Sequence, residues 1–326
     1  MSTRRRPARR PVPVEGGGID LSTTLGSLEL ANPVMTAAGT AGHGAELAAY
    51  LDLSRLGAVV VKSLAAFAWP GNPSPRVCPV PGGMLNSVGL QGPGVEAWAR
   101  DELPALRARG ARVVASIWGR TTEDFAAAAR LVAGAGPGIA ALEVNVSCPN
   151  LEDGSRMFAH SPAATAEAVE ASLASGLPVI AKLSPNTADL VEVAAAALGA
   201  GAESLTLVNT LRGLFIDLER RAPALGAGGG GLSGPAVHAV ALRAVYECRA
   251  AFPRAGIIGV GGISDGAGAA RMLMAGADAV QVGTATLADP RAPAVVLSDL
   301  AAVLTGLGAA SVREVVGAAQ RRPDEP

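Results

Sequence analysis

The chain of 326 residues balances 27 Lys+Arg against 28 Asp+Glu for a net charge of −1, and is 49% hydrophobic but only 3% aromatic, with 41 glycines. Five of the arginines (Arg4, Arg5, Arg6, Arg9, Arg10) crowd a Pro-rich leader, so the remaining body has a formal charge of −6 (−1 minus 5), which argues against a nucleic-acid-binding surface. No apolar run reaches membrane length, and Cys78, Cys148 and Cys248 are too far apart for a disulfide framework, a zinc site or an iron–sulfur centre.

Residues 1–18 are expected to be a disordered leader, with a basic contact tail as the alternative; it lacks the apolar segment of a secretory signal, and a cytoplasmic location is expected. Residues 19–319 then form one domain, and 320–326 a flexible tail. Residues 20–30, with Gly26 at their centre, predict a hairpin ahead of the first strand, placed to plug a barrel floor. Apolar strand candidates at 34–38, 58–62, 112–117, 141–146, 178–183, 204–208, 256–260 and 279–282 follow. They alternate with helix candidates at 44–53, 94–109, 122–133, 162–175, 187–199, 235–251, 265–275 and from 290 onward. Strands this continuous are buried on both faces. Eight such pairs in unbroken order predict an α/β fold, a (β/α)8 TIM barrel.

Chemistry in such a barrel sits where the strands end, and the unusual residues of this chain lie there. Lys62 and Lys182 are the only lysines and close strands two and five. A lysine kept in so arginine-biased a chain points to a compact ammonium with an adjustable charge. Seven asparagines occur, and Asn86, Asn145, Asn150 and Asn209 fall in strand-end or insert positions. Amides donate and accept at once, which suits a planar heterocycle carrying carbonyl and N–H groups. Glycine turns at Gly261-Gly262 and Gly283-Thr284 end strands seven and eight, the usual phosphate position of these barrels. Two long inserts, 63–93 and 211–234, emerge on the same face, with lengths typical of lids or binding loops. The run Gly226-Ala227-Gly228-Gly229-Gly230-Gly231 follows no strand and is expected to be a mobile loop, not a dinucleotide fingerprint.

Cys148 stands between Asn145 and Asn150 in a strand-end loop. A thiol whose ordinary pKa is about 8.5 can be tuned toward neutrality beside ammonium groups, which makes Cys148 the candidate base. Cys78, Cys248, His43, His160 and His238 sit in no comparable cluster and are expected to be structural.

These residues carry a resemblance. Asn32-Pro33-Val34, Val61-Lys62, Gly83-Met84-Leu85-Asn86-Ser87-Val88-Gly89-Leu90-Gln91, Asn145-Val146-Ser147-Cys148-Pro149-Asn150, Lys182-Leu183-Ser184-Pro185-Asn186, Asn209-Thr210-Leu211, Gly231-Leu232-Ser233-Gly234-Pro235 and Gly283-Thr284 resemble the class 1 dihydroorotate dehydrogenases. Within them the chain is most similar to the NAD-linked subclass 1B catalytic subunit, over about residues 21–290. The resemblance implies that Cys148 removes a C5 proton of dihydroorotate while the C6 hydride passes to FMN. It places Asn86, Ser87, Val88, Gly89, Leu90, Asn145, Asn150, Asn209 and Thr210 at the pyrimidine, and Lys62 between substrate and flavin. It assigns Ala38, Gly39, Ser63, Ser116, Asn145, Lys182 and Val208 to the flavin, and Gly234, Gly261, Gly262, Gly283 and Thr284 to its phosphate end. No metal is implied.

Ser116 stands where that family usually has asparagine, Trp118 where a small residue is usual, Ala38 where serine is common, and Phe215 where a polar or small residue is frequent. A diverged paralogue acting on a related pyrimidine is one alternative. A self-sufficient homodimer that reduces fumarate is another. A third, of a different class, is a Schiff-base lyase or aldolase using Lys182, and a fourth is a flavin-less barrel serving only in assembly. If the subclass resemblance holds, this chain lacks the groups needed to reach NAD. A homodimer docked to a partner subunit carrying FAD and [2Fe-2S], a heterotetramer, is then expected.

Overall fold

The structure, a computed structural model, describes residues 18–150 and 156–320, without the side chains of Pro149, Asn150 and Arg156. The expected leader and tail therefore lie, but for Gly18 and Gln320, outside the described residues. Eight strands form the central sheet: β1 (Val34–Thr36), β2 (Val59–Val60), β3 (Val113–Ile117), β4 (Ile139–Asn145), β5 (Val179–Leu183), β6 (Ser204–Leu207), β7 (Gly256–Val260) and β8 (Ala279–Val282). Each pairs in parallel with the next, and β8 pairs with β1. A parallel bridge between Met35 and Ala58 joins β1 to β2. The barrel is closed, and the (β/α)8 fold expected from the strand–helix alternation is observed.

The β1–β2 seam is short because side chains do part of the work of the ladder. Thr36 Oγ1 donates to the Val60 carbonyl at 3.2 Å and accepts from Val60 N–H at 2.9 Å. The fully buried Asn32 accepts from the N–H groups of Val34 and Gly57, and donates to the Arg55 carbonyl. Buried backbone groups rarely go unpaired, so one amide ties the entries of both strands.

Below the barrel, Thr23–Leu25 pairs antiparallel with Leu28–Leu30 around Gly26, whose φ is +57°. Alternation turns Leu25, Leu28 and Leu30 upward against Met35, Val60, Val114, Ile180 and Ile258, which line the lower barrel. The hairpin plugs the floor as expected.

The α-helices among the described residues are α1 (Val95–Asp101), α2 (Leu103–Ala108), α3 (Thr122–Gly134), α4 (Pro162–Ser172), α5 (Leu190–Gly199), α6 (His238–Ala251), α7 (Gly266–Ala275), α8 (Thr284–Ala288), α9 (Ala292–Gly306) and α10 (Val312–Val315). Two of the expected helices differ. The span 44–53 forms only 3₁₀ turns, Glu46–Ala49 and Leu53–Arg55. There the Glu46 carboxylate accepts from the N–H groups of His43 and Gly44, and Asp52 from Ser54, local bonds that compete with a helix. The span 94–109 splits at Glu102 because Pro104, in the first turn of α2, cannot continue a helix through its own position.

Above the barrel, the two inserts are not separate loops. Strands Leu211–Gly213, Gly230–Ser233, Gly83–Asn86 and Val77–Val80 form one antiparallel sheet in that order. The glycine run expected to be mobile supplies one of its strands. A Cβ at Gly231 would lie 2.1 Å from Thr210 Oγ1, and one at Gly230 2.5 Å from the Asn86 carbonyl oxygen, so glycine permits the close approach that pairs the inserts. Among the described residues, no helix is long and apolar enough to cross a membrane.

Candidate active site

Between the strand ends and the insert sheet lies a cavity of about 1330 Å³. That exceeds the range of about 300–1,000 Å³ typical for one small ligand, and suits a cofactor with a substrate against it. Most of the expected site residues line it: Ala38, Gly39, Lys62, Ser63, Asn86, Ser87, Val88, Gly89, Leu90, Asn145, Lys182, Val208, Asn209, Thr210, Gly234, Gly261, Gly262, Gly283 and Thr284. Lys62, Arg120, Lys182 and Arg212 also face the cavity, and no Asp or Glu does so among the described residues. Such a chamber attracts anions.

The amides form a string. Asn209 Nδ2 donates to Asn145 Oδ1 at 3.1 Å, Asn145 Nδ2 to Ser63 Oγ at 3.4 Å, and Ser63 Oγ lies 2.9 Å from Ser116 Oγ. Asn145 Oδ1 also accepts from Ser147 N–H, and Asn209 Oδ1 from Thr210 N–H. Side chains from β3, the β2 insert, β4 and the β6 end are thereby held in one register. Ser116 sits fully buried one step below the wall and acts on it through Ser63. The Trp118 departure is accommodated by edge-on packing against Phe67 and Trp69, with Arg120 over the Trp69 ring at 5.0 Å.

Lys62 enters beneath Gly39, where a Cβ would stand 3.4 Å from its Nζ. Burial, and secondarily the charge of Lys182, pull the Lys62 ammonium down to about 8. His43, expected to be structural, shares a second cavity of about 550 Å³ with Lys62. Burial and the Lys62 charge hold its imidazole below the usual histidine range.

The turns expected to hold a phosphate are tight. Gly234, Gly261 and Gly262 have φ of +102°, +142° and +67°, and a Cβ at Gly262 would lie 2.8 Å from His238 Cβ and 2.9 Å from the Gly234 carbonyl oxygen. Thr284 Oγ1 donates to Ser233 Oγ at 2.8 Å. These positions offer backbone N–H groups in a space that side chains would fill, the donor set that suits a phosphate.

Cys148 is placed differently from expectation. Its thiol is fully buried, donates to the carbonyls of Gly119 at 3.0 Å and Asn145 at 3.3 Å, and does not line the cavity. Burial pushes it up to about 12, against the lowering effect of its backbone hydrogen bonds. The ammonium neighbours expected to tune it are absent from its surroundings. The side chain of Asn150 lies outside the described residues.

Several cavity residues carry signals that single-residue scarcity does not expose. Ser147 Oγ is buried, has no hydrogen-bond partner among the described residues, and lines the cavity. Asn72 donates to Ser87 Oγ at 2.7 Å, and Asn186 binds the Thr210 carbonyl and Arg212 N–H; both hold the walls in place. Lys182 is paired with the fully buried Glu143 at 3.5 Å.

The dihydroorotate dehydrogenase family model matches residues 20–304. The chain belongs to the dihydroorotate dehydrogenase family. A protein of Desulforudis audaxviator named dihydroorotate dehydrogenase B (NAD(+)), catalytic subunit, is 49% identical over 304 residues, 93% of this chain and 98% of that protein. Proteins of the same name from Geotalea uraniireducens and Trichlorobacter lovleyi are each 44% identical, over 93% and 91% of this chain and 99% and 98% of their own lengths. Membership of this family sets aside the Schiff-base alternative.

Proposed function

We propose that this chain oxidises (S)-dihydroorotate to orotate in de novo pyrimidine synthesis, as an FMN-dependent catalytic subunit whose electrons reach NAD through a partner. The observation that carries this reading is the cavity itself: room for two ligands, four cations, a string of buried amides and, among the described residues, no lining carboxylate, in a chain of this family. Gly234, Gly261, Gly262, Gly283 and Thr284 hold the FMN phosphate, and Lys182, Asn145 and Ser63 face its ring. Bound FMN supplies the two-electron acceptor. Lys62, Asn86, Asn145, Asn150, Asn209 and Thr210 bind the pyrimidine and its carboxylate, and the backbone of Ser87, Val88, Gly89 and Leu90 closes over it. Cys148 takes the C5 proton, for which its Sγ turns from the Gly119 and Asn145 carbonyls toward the cavity.

Purified protein is expected to be yellow, and anaerobic dihydroorotate to bleach its flavin absorbance. Colourless protein, or flavin unaffected by dihydroorotate, would overturn the reading. The catalytic-subunit name of the relatives supports a companion carrying FAD and [2Fe-2S], docked on a homodimer of this chain. The isolated chain is then expected to reduce NAD only when the companion is added. Robust NAD reduction by this chain alone would refute the partner.

Two further results are expected of the binding site. Lys62 is an ammonium below about 8 and neutral above it, and only the cation attracts the orotate carboxylate. Orotate affinity should fall as pH rises through that region, with the midpoint displaced upward because the anion favours the charged form. A flat profile from pH 7 to 10 by flavin-absorbance titration would remove Lys62 from the carboxylate. Asn209→Ala deletes the donor to Asn145 and the acceptor of Thr210 N–H, and should weaken orotate binding by about 1–3 kcal/mol.

A further inference from the structure

His238, the first residue of α6, stands beside the turn that ends β7. Its Nδ1 lies 2.8 Å from the Gly261 carbonyl oxygen. A carbonyl oxygen only accepts, so Nδ1 carries the proton and donates. The other ring nitrogen, Nε2, is buried with no hydrogen-bond partner among the described residues, a cost that an apolar side chain of similar size would not incur. The bond to Gly261 is therefore what the imidazole contributes. It fixes more than one atom. The Gly261–Gly262 peptide is trans and planar, so its C=O and N–H point in opposite directions. Gly261 and Gly262 line the cavity and His238 does not. A carbonyl drawn toward His238 thus turns the Gly262 N–H toward the cavity. That N–H donates to no group among the described residues, which leaves it free for a ligand. The same segment carries a second turn of the site: Val237 N–H donates to the Gly234 carbonyl at 3.1 Å, and a Cβ at Gly262 would lie 2.9 Å from that carbonyl oxygen and 3.1 Å from His238 N. One side chain joins two turns that lie far apart in the sequence.

We propose that His238 is a positioning residue for the flavin phosphate: it holds the Gly261 carbonyl so that the Gly262 N–H is aimed at the anion, and it ties the Gly234 turn to the Gly261-Gly262 turn. The inference rests on FMN as the ligand of the cavity, with its phosphate at these turns. Because the residue acts through a phosphate donor, its loss should separate FMN from riboflavin, which has the same ring and ribityl chain but no phosphate.

The test is the affinity of the full-length chain, freed of flavin, for FMN and for riboflavin, by flavin-fluorescence titration. Wild type is expected to prefer FMN. His238→Leu should bind FMN about tenfold more weakly, the scale of one hydrogen bond, and riboflavin as wild type does. His238→Asn, whose amide N–H can replace the Nδ1 donor, should recover most of the loss, a rescue that a merely space-filling role would not show. No preference for FMN in wild type, FMN affinity unchanged in His238→Leu, an equal loss for both flavins, or no recovery in His238→Asn overturns the proposal. If His238→Leu does not fold, His238→Phe keeps a ring in the same space without the donor, and it must show the FMN-selective loss for the proposal to stand. Wild-type protein that binds no FMN would overturn the flavin reading itself, an outcome separate from FMN bound equally well by wild type and His238→Leu.

Discussion

Cys148→Ala is expected to bind FMN and orotate normally and to slow flavin reduction by dihydroorotate about 10² to 10⁴-fold, the usual cost of losing a general base. The thiol lies outside the cavity lining, packed in the hydrophobic core with its hydrogen bonds going to the Gly119 and Asn145 carbonyls, so its loss leaves the ligand contacts in place. The wild-type pH profile is a second check with a definite sign. Burial holds the thiol up at about 12, so the thiolate is scarce at neutral pH and its fraction grows as pH rises. Flavin reduction by wild type should therefore accelerate from pH 7 to 9, and Cys148→Ala should lose that slope. Cys148→Ser should recover activity only at high pH. A single-turnover reduction rate unchanged at neutral pH in Cys148→Ala would place the base elsewhere.

Gly262→Val is expected to abolish tight FMN retention while leaving the barrel folded. The residue holds φ at +67°, where an ordinary side chain costs about 1–2 kcal/mol, and its Cβ would press on His238 Cβ and the Gly234 carbonyl. Neither neighbour is the free end of a flexible side chain, so the turn itself must move, and with it the N–H groups offered to the phosphate. FMN affinity should drop at least about tenfold, or 1.4 kcal/mol, with the far-ultraviolet circular dichroism retained. Wild-type flavin affinity would show that this turn does not hold the phosphate.

Much of the barrel was legible in the chain because its signals are local. A run such as 256–260 is apolar throughout, the glycines that follow sit at its C-terminal end, and the closed sheet brings those ends together whatever the details of packing. Lys62, Asn145, Lys182 and Asn209 could therefore be placed at one mouth from strand ends alone. The hairpin at 20–30 was readable for the same reason, since alternation sends Leu25, Leu28 and Leu30 to one face. The helix over 44–53 failed because Glu46 and Asp52 found closer partners in the backbone.

What the sequence determined by itself was the order of strands and helices, the fold class and the set of residues at the strand ends, all of which follow from periodicity along the chain. Tertiary structure alone decided three things. It paired the inserts into one sheet over the cavity, because Gly230 and Gly231 admit partners far away in sequence. It turned Cys148 toward carbonyls and away from any ammonium, and it set Glu143 against Lys182, Thr206 and Gln281 inside the barrel. These outcomes depend on register between distant strands and on the removal of water, and neither is written in any local run of residues.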